Sequence, residues 1–394
     1  MSQLDIRRIE TNPDKVYYDL TIANLNNGDV NPVNSPPLIF NEQRQNAIIP
    51  NTGEYYLSIV RFQLDTTSLP IFVPIIQLGQ LDPNLTIYSV TVVDNTTNTA
   101  YQVYIQWENQ IANVDVPQPP APNPVQAESE WYFCYNFEWM VNLVNKALLT
   151  AIGPNPLGAN LTNGIASMTW NSSSNTATLY LDEANFYTPS PLTNPPNQPL
   201  FSLYFNQALY TLFSSFPATY YGSVGVVSGQ NYKILVNNYN GVNSIQLPVT
   251  APSTPCIYIN QEWDTTSVWT PVSSIVFTSA TFPIIPTRLS PPQAYYNGVL
   301  YNVSASGNNS NIAQVITDLA SGDLCYKPSL LYEPTAQFRL VDMVGNTPLT
   351  NINIQVFWKS KLGTFVPFRL ATGNSCSMKL LFTKKSSVSN NANQ

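Results

Sequence analysis

The side chains able to do chemistry in this 394-residue chain are few, and histidine is not among them. Without an imidazole, Ser-His-Asp and Cys-His nucleophile systems and every His-containing zinc site are excluded. Two carboxylate pairs remain: Asp182 beside Glu183, and Glu262 with Asp264 on either side of Trp263. A glycosidase needs two carboxyls facing each other across a cleft. Near neighbours in Asp- and Asn-rich turns read instead as solvated charges. The same turns offer oxygen ligands for Ca²⁺, but the spacing of an EF-type loop is missing. Cys134, Cys256, Cys325 and Cys376 are widely separated, with no C-x-x-C pair, and do not form a four-thiolate pattern. Cys134 follows Trp131, Tyr132 and Phe133, and all four read as buried free thiols rather than disulfides. Neither G-x-x-x-x-G-K nor G-x-G-x-x-G occurs, so no phosphate cradle is visible. The residues thus predict no catalytic, no cofactor-binding and no metal-binding side chain, and no enzyme.

The elements that would have to position any site are strands. In residues 337–385, Ile352, Ile354, Val356 and Trp358 alternate with Asn351, Asn353, Gln355 and Lys359, a period of two with one face buried. Phe338 and Leu340 alternate with Gln337 and Arg339 before them. Met378, Leu380 and Phe382 alternate with Lys379 and Thr383 after them. Turns are expected at Gly345-Asn346, over 360–363 and over 372–374. Read together, these three strands share one sheet whose apolar face needs a partner sheet from the rest of the chain.

Earlier residues read the same way. Strands are expected at 16–23, at 55–62 (apolar on both faces, hence central) and at 69–76, where prolines put the segment on an edge or bend. Hairpins are expected for 86–93 with 101–107, and for 168–170 with 176–181. Further strands fall at 201–205, 232–236, 256–260 and 274–278, the last bent by Pro283 and Pro286. Phe133, Phe137, Met140, Val144, Ala147 and Ala151 recur at helical spacing up to Gly153-Pro154. Leu209, Leu212, Phe213 and Phe216 follow a capping Asn206. Ile312, Val315, Ile316 and Leu319 suggest a third short helix. Proline-rich stretches at 109–127 and 187–199 are surface loops. Residues 1–14, with Arg7-Arg8, read as a polar arm and 386–394 as a mobile tail. The body spans 15–385, with room for two β-rich halves meeting near 241–252. The fold class is all-β: strands without alternating helices exclude parallel α/β folds.

Charge sharpens the picture. Only 10% of residues are charged, while Pro and Tyr number 33 and 23. From 184 to 260 the sole charged side chain is Lys233. So neutral a surface is expected to be covered by neighbouring subunits. Residues 327–394 carry eight Lys/Arg against Glu333 and Asp342, a charge of +6, so the remainder of this −7 chain is −13. Such a basic end suits either an anionic partner or solvated strand edges protected by lysine, and the second reading is favoured. The beginning, MSQLDIRRIETNPDK, lacks a signal-peptide core and no apolar run is long enough to span a membrane. The expectation is a soluble chain made in a reducing compartment.

Several runs together resemble the minor capsid, or penton, proteins of polinton-like viruses, adintoviruses and virophages. They are VYYDLTI (16–22), EYYLSIVRFQLDTTSLPIFVPII (54–76), LYFNQALYTLFSSFPA (203–218), SSIVFTSATFPI (273–284) and the stretch 338–385. The resemblance implies a viral jelly-roll β-sandwich with no catalytic residues. It further implies homopentamers that plug the vertices of an icosahedral double-stranded DNA virus, between trimers of a major capsid protein. At this length the roll should carry long loop insertions or an added β subdomain. The arm and tail would reach neighbouring subunits or the particle interior. Two other classes stay open: a trimeric major capsid protein with two rolls, and a carbohydrate-binding module or hydrolase using exposed aromatics such as Trp263 and Trp269.

Overall fold

The computed structural model of the chain describes residues 13–25, 37–75, 87–110, 130–152, 166–187, 199–222, 225–236, 245–246, 255–285, 293–296, 299–302, 315–319, 329–333 and 339–391. The chain divides into two compact units, residues 1–69 with 272–394, and residues 70–271. The division is therefore not near 241–252: the second unit is inserted whole into the first.

The first unit begins with β1 (Lys15–Ala23), β2 (Ile39–Gln43) and β3 (Tyr55–Asp65). The inserted unit holds β4 (Ser89–Asp94), β5 (Thr99–Tyr104), α1 (Phe137–Ile152), β6 (Ala166–Asn171), β7 (Thr176–Asp182), α2 (Glu183–Phe186) and β8 (Phe201–Phe205). It continues with α3 (Gln207–Leu212), β9 (Ala218–Tyr220), β10 (Tyr232–Ile234), β11 (Ile245–Gln246), β12 (Pro255–Asn260) and α4 (Thr266–Trp269). The first unit resumes with β13 (Val272–Thr278), β14 (Gln293–Tyr296), β15 (Val299–Asn302), β16 (Val315–Leu319) and β17 (Ser329–Tyr332). It ends with β18 (Val341–Asp342), β19 (Asn351–Ser360), β20 (Phe365–Pro367), β21 (Ser375–Lys384) and α5 (Lys385–Asn391).

Eight strands of the first unit pair from the outside in: β1 with β21, β2 with β19, β3 with β17, β13 with β16. That is one long hairpin folded over on itself, the winding of a jelly roll. Contacts of β21 with β3 and of β13 with β19 then complete two sheets, β1-β21-β3-β17 and β16-β13-β19-β2. The sheets pack face to face, with Phe62 edge-on to Phe277 at 4.6 Å and Phe282 edge-on to Phe382 at 6.5 Å. On β19 the period of two is kept: Ile352, Ile354, Val356 and Trp358 are all buried. The run 55–62 is indeed central, between β21 and β17. Its unbroken apolarity has a local cause. Lys379 faces Arg61 and Leu380 faces Ile59, so Val60 is an extra bulged residue that resets the alternation.

Four expectations are corrected here. The C-terminal strands do not share a sheet: β19 lies opposite β18 and β21, because the winding passes the chain from one layer to the other. The strand expected at 338–340 shrinks to Val341–Asp342, with Phe338 outside the described residues. Of the helix expected over 312–319, residues 315–319 are the strand β16, where Val-Ile-Thr favours extended backbone and β13 offers an open edge, and 312–314 lie outside the described residues. The tail expected over 386–394 is a helix as far as Asn391, tied by Lys385 to the carbonyl of Met343 at 2.8 Å.

The inserted unit is built from neighbours. β4-β5, β6-β7, β9-β10 and β11-β12 each pair with the next strand in the chain, giving sheets β5-β4-β8-β10-β9 and β11-β12-β7-β6. α1 lies against β6 of one sheet and β4 and β5 of the other. It begins at Phe137, later than the spacing from Phe133 suggests, since Cys134 bridges Phe72 in extended form. The edge strand β6 is met by Asn145 of α1, which donates to the Met168 carbonyl at 2.8 Å and accepts from its N–H at 2.6 Å. That amide satisfies backbone groups an edge would leave bare. The hairpins at 86–107 and 168–181, the strand Phe201–Phe205 and the Asn206 cap on Leu209 N–H are as expected. Among the described residues there are five α-helices, one of 16 residues and the others of four to seven. Most of both proline-rich stretches, 111–129 and 188–198, lies outside the described residues, as do residues 1–12 of the arm.

Candidate functional site

The candidate chemistry does not converge. Asp182 and Asn185 are fully buried where β7 passes into α2, with the Asn185 amide donating to the Asp182 carboxylate at 2.5 Å. Asp182 is thus not the solvated turn charge that its neighbourhood suggests. Cys256 sits opposite it in register, and burial, with the nearby Asp182 and Glu183 charges, pushes that thiol's pKa up. The second pair belongs to a different turn. Asp264 accepts from the Thr266 N–H at 2.6 Å, closing the turn that leads into α4, while Glu262 is exposed to solvent. Neither pair faces another carboxylate across a cleft.

Trp269, expected among the exposed aromatics, is 2% exposed. Its ring lies 5.5 Å from Phe72, 5.3 Å from Phe137, 6.0 Å from Trp170 and 5.2 Å from Phe213. Its indole N–H donates to the Leu212 carbonyl at 2.8 Å, as a buried indole must. Trp263, by contrast, is 57% exposed. Cys134, Cys256 and Cys376 are buried and free. Burial pushes the Cys134 thiol up to about 12 and Cys376 higher, so both stay protonated and inert. Cys325 lies outside the described residues. Among the described residues, no three Cys, Asp or Glu side chains gather as a metal site requires, and no helix is long and apolar enough to cross a membrane.

What the geometry does organise is surface. On the roll, Asp19, Lys379 and Arg61 stand in one row across β1, β21 and β3, with Asp19 3.4 Å from each cation. Arg339 meets Asp318 at 2.9 Å, Lys384 approaches Glu54 at 4.0 Å and Lys385 meets Asp342. Four of the eight cations of the basic C-terminal segment are therefore matched by acids of its own unit. That favours protected strand edges over a free anion-binding patch.

The inserted unit differs. The sixteen Lys and Arg divide fourteen to two between the roll and the insertion, and the twenty-three Asp and Glu twelve to eleven, leaving +2 on one and −9 on the other. Its two cations are unlike. Lys146 meets Glu108 at 2.5 Å, whereas Lys233 is half-buried, and desolvation lowers its pKa with no carboxylate among the described residues paired to it. Register places Gln102, Thr91, Tyr204, Lys233 and Thr219 in one row across five strands; Thr91 is fully buried beneath the Gly229 carbonyl, Tyr204 and Lys233 are half-buried and Thr219 is exposed. Tyr221 joins that face, its ring 6.1 Å from Tyr204. The sequence marks Lys233 as an isolated charge but does not show this row, because β4, β8 and β10 meet only after long intervening segments.

Comparison with known proteins accords with this. A family model described as Sputnik minor capsid protein V18/19 matches residues 16–384. Uncharacterized protein V18 of Sputnik virophage is 32% identical over 153 residues, 37% of this chain and 89% of V18. Structural protein V19 of the same virophage is 28% identical over 216 residues, 54% of this chain and 92% of V19. A chain from the 3.5 Å cryo-EM structure of the Sputnik virophage superposes with a TM-score of 0.72 at 26% identity, covering 95% of this chain and 99% of that one. The mavirus penton protein crystal structure superposes with a TM-score of 0.59 at 15% identity, covering 94% and 100%, a likeness of fold.

Proposed function

The chain belongs to the Sputnik minor capsid protein V18/19 family, and from that premise we propose that it forms the vertex of an icosahedral double-stranded DNA virus particle. In this reading five copies associate as a homopentamer, seated between subunits of a major capsid protein, and the chain performs no reaction. It is made in the cytoplasm or nucleus of a host and ends in the virion.

The observation that carries the reading is the wound pairing of the eight roll strands with one whole unit inserted between β3 and β13. A roll presents loops at both ends and strand edges at its sides, the surfaces by which shell subunits meet. The two-roll alternative draws little support from the inserted unit, four of whose strand pairs join consecutive strands and do not wind from the outside in. The glycan-binding alternative loses Trp269 to the core. Residues 1–14, with Arg7-Arg8, and the chain after 386 are proposed to lie against neighbouring subunits or the particle interior. A particle map with both pointing outward into solvent removes that part of the proposal.

Sedimentation of the purified chain tests the whole. A pentamer mass, with five copies per vertex in particles, is expected. A trimer present in high copy number supports the major capsid reading instead, and a monomer that binds or cleaves glycans supports the third.

A further inference from the structure

Two features of the inserted unit are complementary to each other and cannot meet within one copy. The first is the Lys233 row, a neutral surface with Tyr204 and Tyr221 beside a single ammonium that has no counter-charge among the described residues. The second is the turn at 262–264, where exposed Trp263 is flanked by Glu262 and Asp264.

Alternation along the strands puts them on opposite faces of the sheet β5-β4-β8-β10-β9. Tyr204 and Lys233 point one way, so Phe205 and Tyr232 point the other. On that other side Tyr232 stacks on Tyr210 of α3 at 3.8 Å, and Phe205 lies 6.3 Å from Phe213. The turn hangs from the same side: Glu262 N–H donates to the Ser215 carbonyl at 3.1 Å, and Ser215 Oγ donates to the Trp263 carbonyl at 2.6 Å.

We propose that the 262–264 turn of one copy docks on the Lys233 face of the next, a head-to-tail contact between inserted units that closes a ring of identical subunits. The inference rests on the capsid-subunit reading above. Complementary patches on opposite faces make a heterologous contact, which forms a ring when the rotation closes. Charge complementarity selects the occupant. Units of −9 repel one another wherever they meet unless a cation lies at the contact, and Lys233 is the cation of this unit that no acid among the described residues holds. Glu262 supplies the carboxylate, since Asp264 is engaged by the Thr266 N–H of its own turn. Trp263 supplies the aromatic anchor and the two tyrosines its seat.

Zero-length carbodiimide cross-linking of the assembled full chain is expected to join Lys233 to Glu262. With isotopically mixed copies, the linked peptides should carry one label from each. In sedimentation, Lys233→Glu is expected to weaken association on the order of tenfold and Trp263→Ala about thirtyfold. Lys233→Glu combined with Glu262→Lys should restore it. Thermal unfolding of each variant checks that the fold is kept, and the cross-link needs no variant. An assembled ring without the cross-link, in which the variants associate as the parent does, overturns this contact and leaves the capsid reading standing. A chain that stays monomeric at every concentration overturns both.

Discussion

The roll and the inserted unit are both β-rich, but their wiring differs: the roll is founded on pairs of distant strands, whereas the insertion pairs consecutive strands and adds the long-range contacts β4-β8 and β7-β12. In the roll, Tyr17 pairs with Leu381 and Asn41 with Asn353, so a founding sheet forms only when the chain's two ends meet. In the insertion, Val92 pairs with Tyr101 and Met168 with Leu179, contacts that close over a few residues. Closing a long loop costs more entropy than closing a hairpin, so the insertion can organise before the roll is complete. The difference teaches why a whole unit fits into the β3–β13 connection. A roll already held by distant pairings loses little more when one connection lengthens, because closure entropy grows only with the logarithm of loop length.

The largest test of two separately held cores is a pair of truncations. Trp269→Ala removes the ring that Phe72, Phe137, Trp170 and Phe213 surround and is expected to cost about 3–5 kcal/mol. Hydrogen exchange should show protection lost across 70–271 and kept in β1, β3 and β21. Phe277→Ala, against Phe62, is expected to cost a similar amount with the opposite map. One shared transition in both variants would break the comparison.

Smaller and more local is Gly53→Ala. Gly53 N–H donates to the Gly345 carbonyl at 2.7 Å, and a β-carbon at Gly53 would lie 2.4 Å from that oxygen. Gly345 itself has φ of +89°, which an L-residue adopts only with strain. Because the obstacle is backbone, the roll should lose about 1–3 kcal/mol, read as a lower urea midpoint with an unchanged slope. In the insertion the counterpart is Asn206→Ala. It removes the cap on Leu209 N–H and the 2.6 Å bond from the amide to the Ile87 carbonyl, for about 1–2 kcal/mol.

The same wiring explains what sequence could show. Elements closed by local chemistry were legible: the Asn206 cap and the hairpins of 86–93 with 101–107 and of 168–170 with 176–181. Asn175 with φ of 54° and Asn98 with φ of 56° make those turns tight. The roll's partners were not legible, because period two on β19 says that one face is buried but not which strand lies beside it. β16 was misread for the same reason. Ile312, Val315, Ile316 and Leu319 fit a helical stripe, and only the edge of β13, fixed by tertiary pairing, decides for a strand. Of the surface, Lys233 stood out by composition, but its row with Tyr204 and Thr219 needed the pairings of β8, β9 and β10.

The smallest effects concern two carboxylates, one in each unit. Asp94 closes its turn by accepting from the Thr96 hydroxyl and N–H and from Thr97 N–H. The Thr96 hydroxyl, followed by those backbone donors and against some desolvation, lowers its pKa below the ordinary carboxylate value. A carboxylate depressed on folding stabilises above its unfolded pKa, about 3.9, and that contribution is lost as pH falls through the folded value. Urea titrations between neutral pH and pH 3 should show Asp94→Asn destabilised at the upper end and converging on the parent at the lower. Asp19 should behave otherwise. Its side chain is 57% exposed and shares its charge between Arg61 and Lys379. Exposed pairs contribute at most about 1 kcal/mol and are screened by salt. Asp19→Asn is therefore expected to change the roll's stability by less than about 1 kcal/mol at low salt, with the difference vanishing near ~1 M. A cost of several kcal/mol that persists in salt would mean that another chain desolvates the row, and the outer face of the β1-β21-β3 sheet would then be a contact surface in its own right.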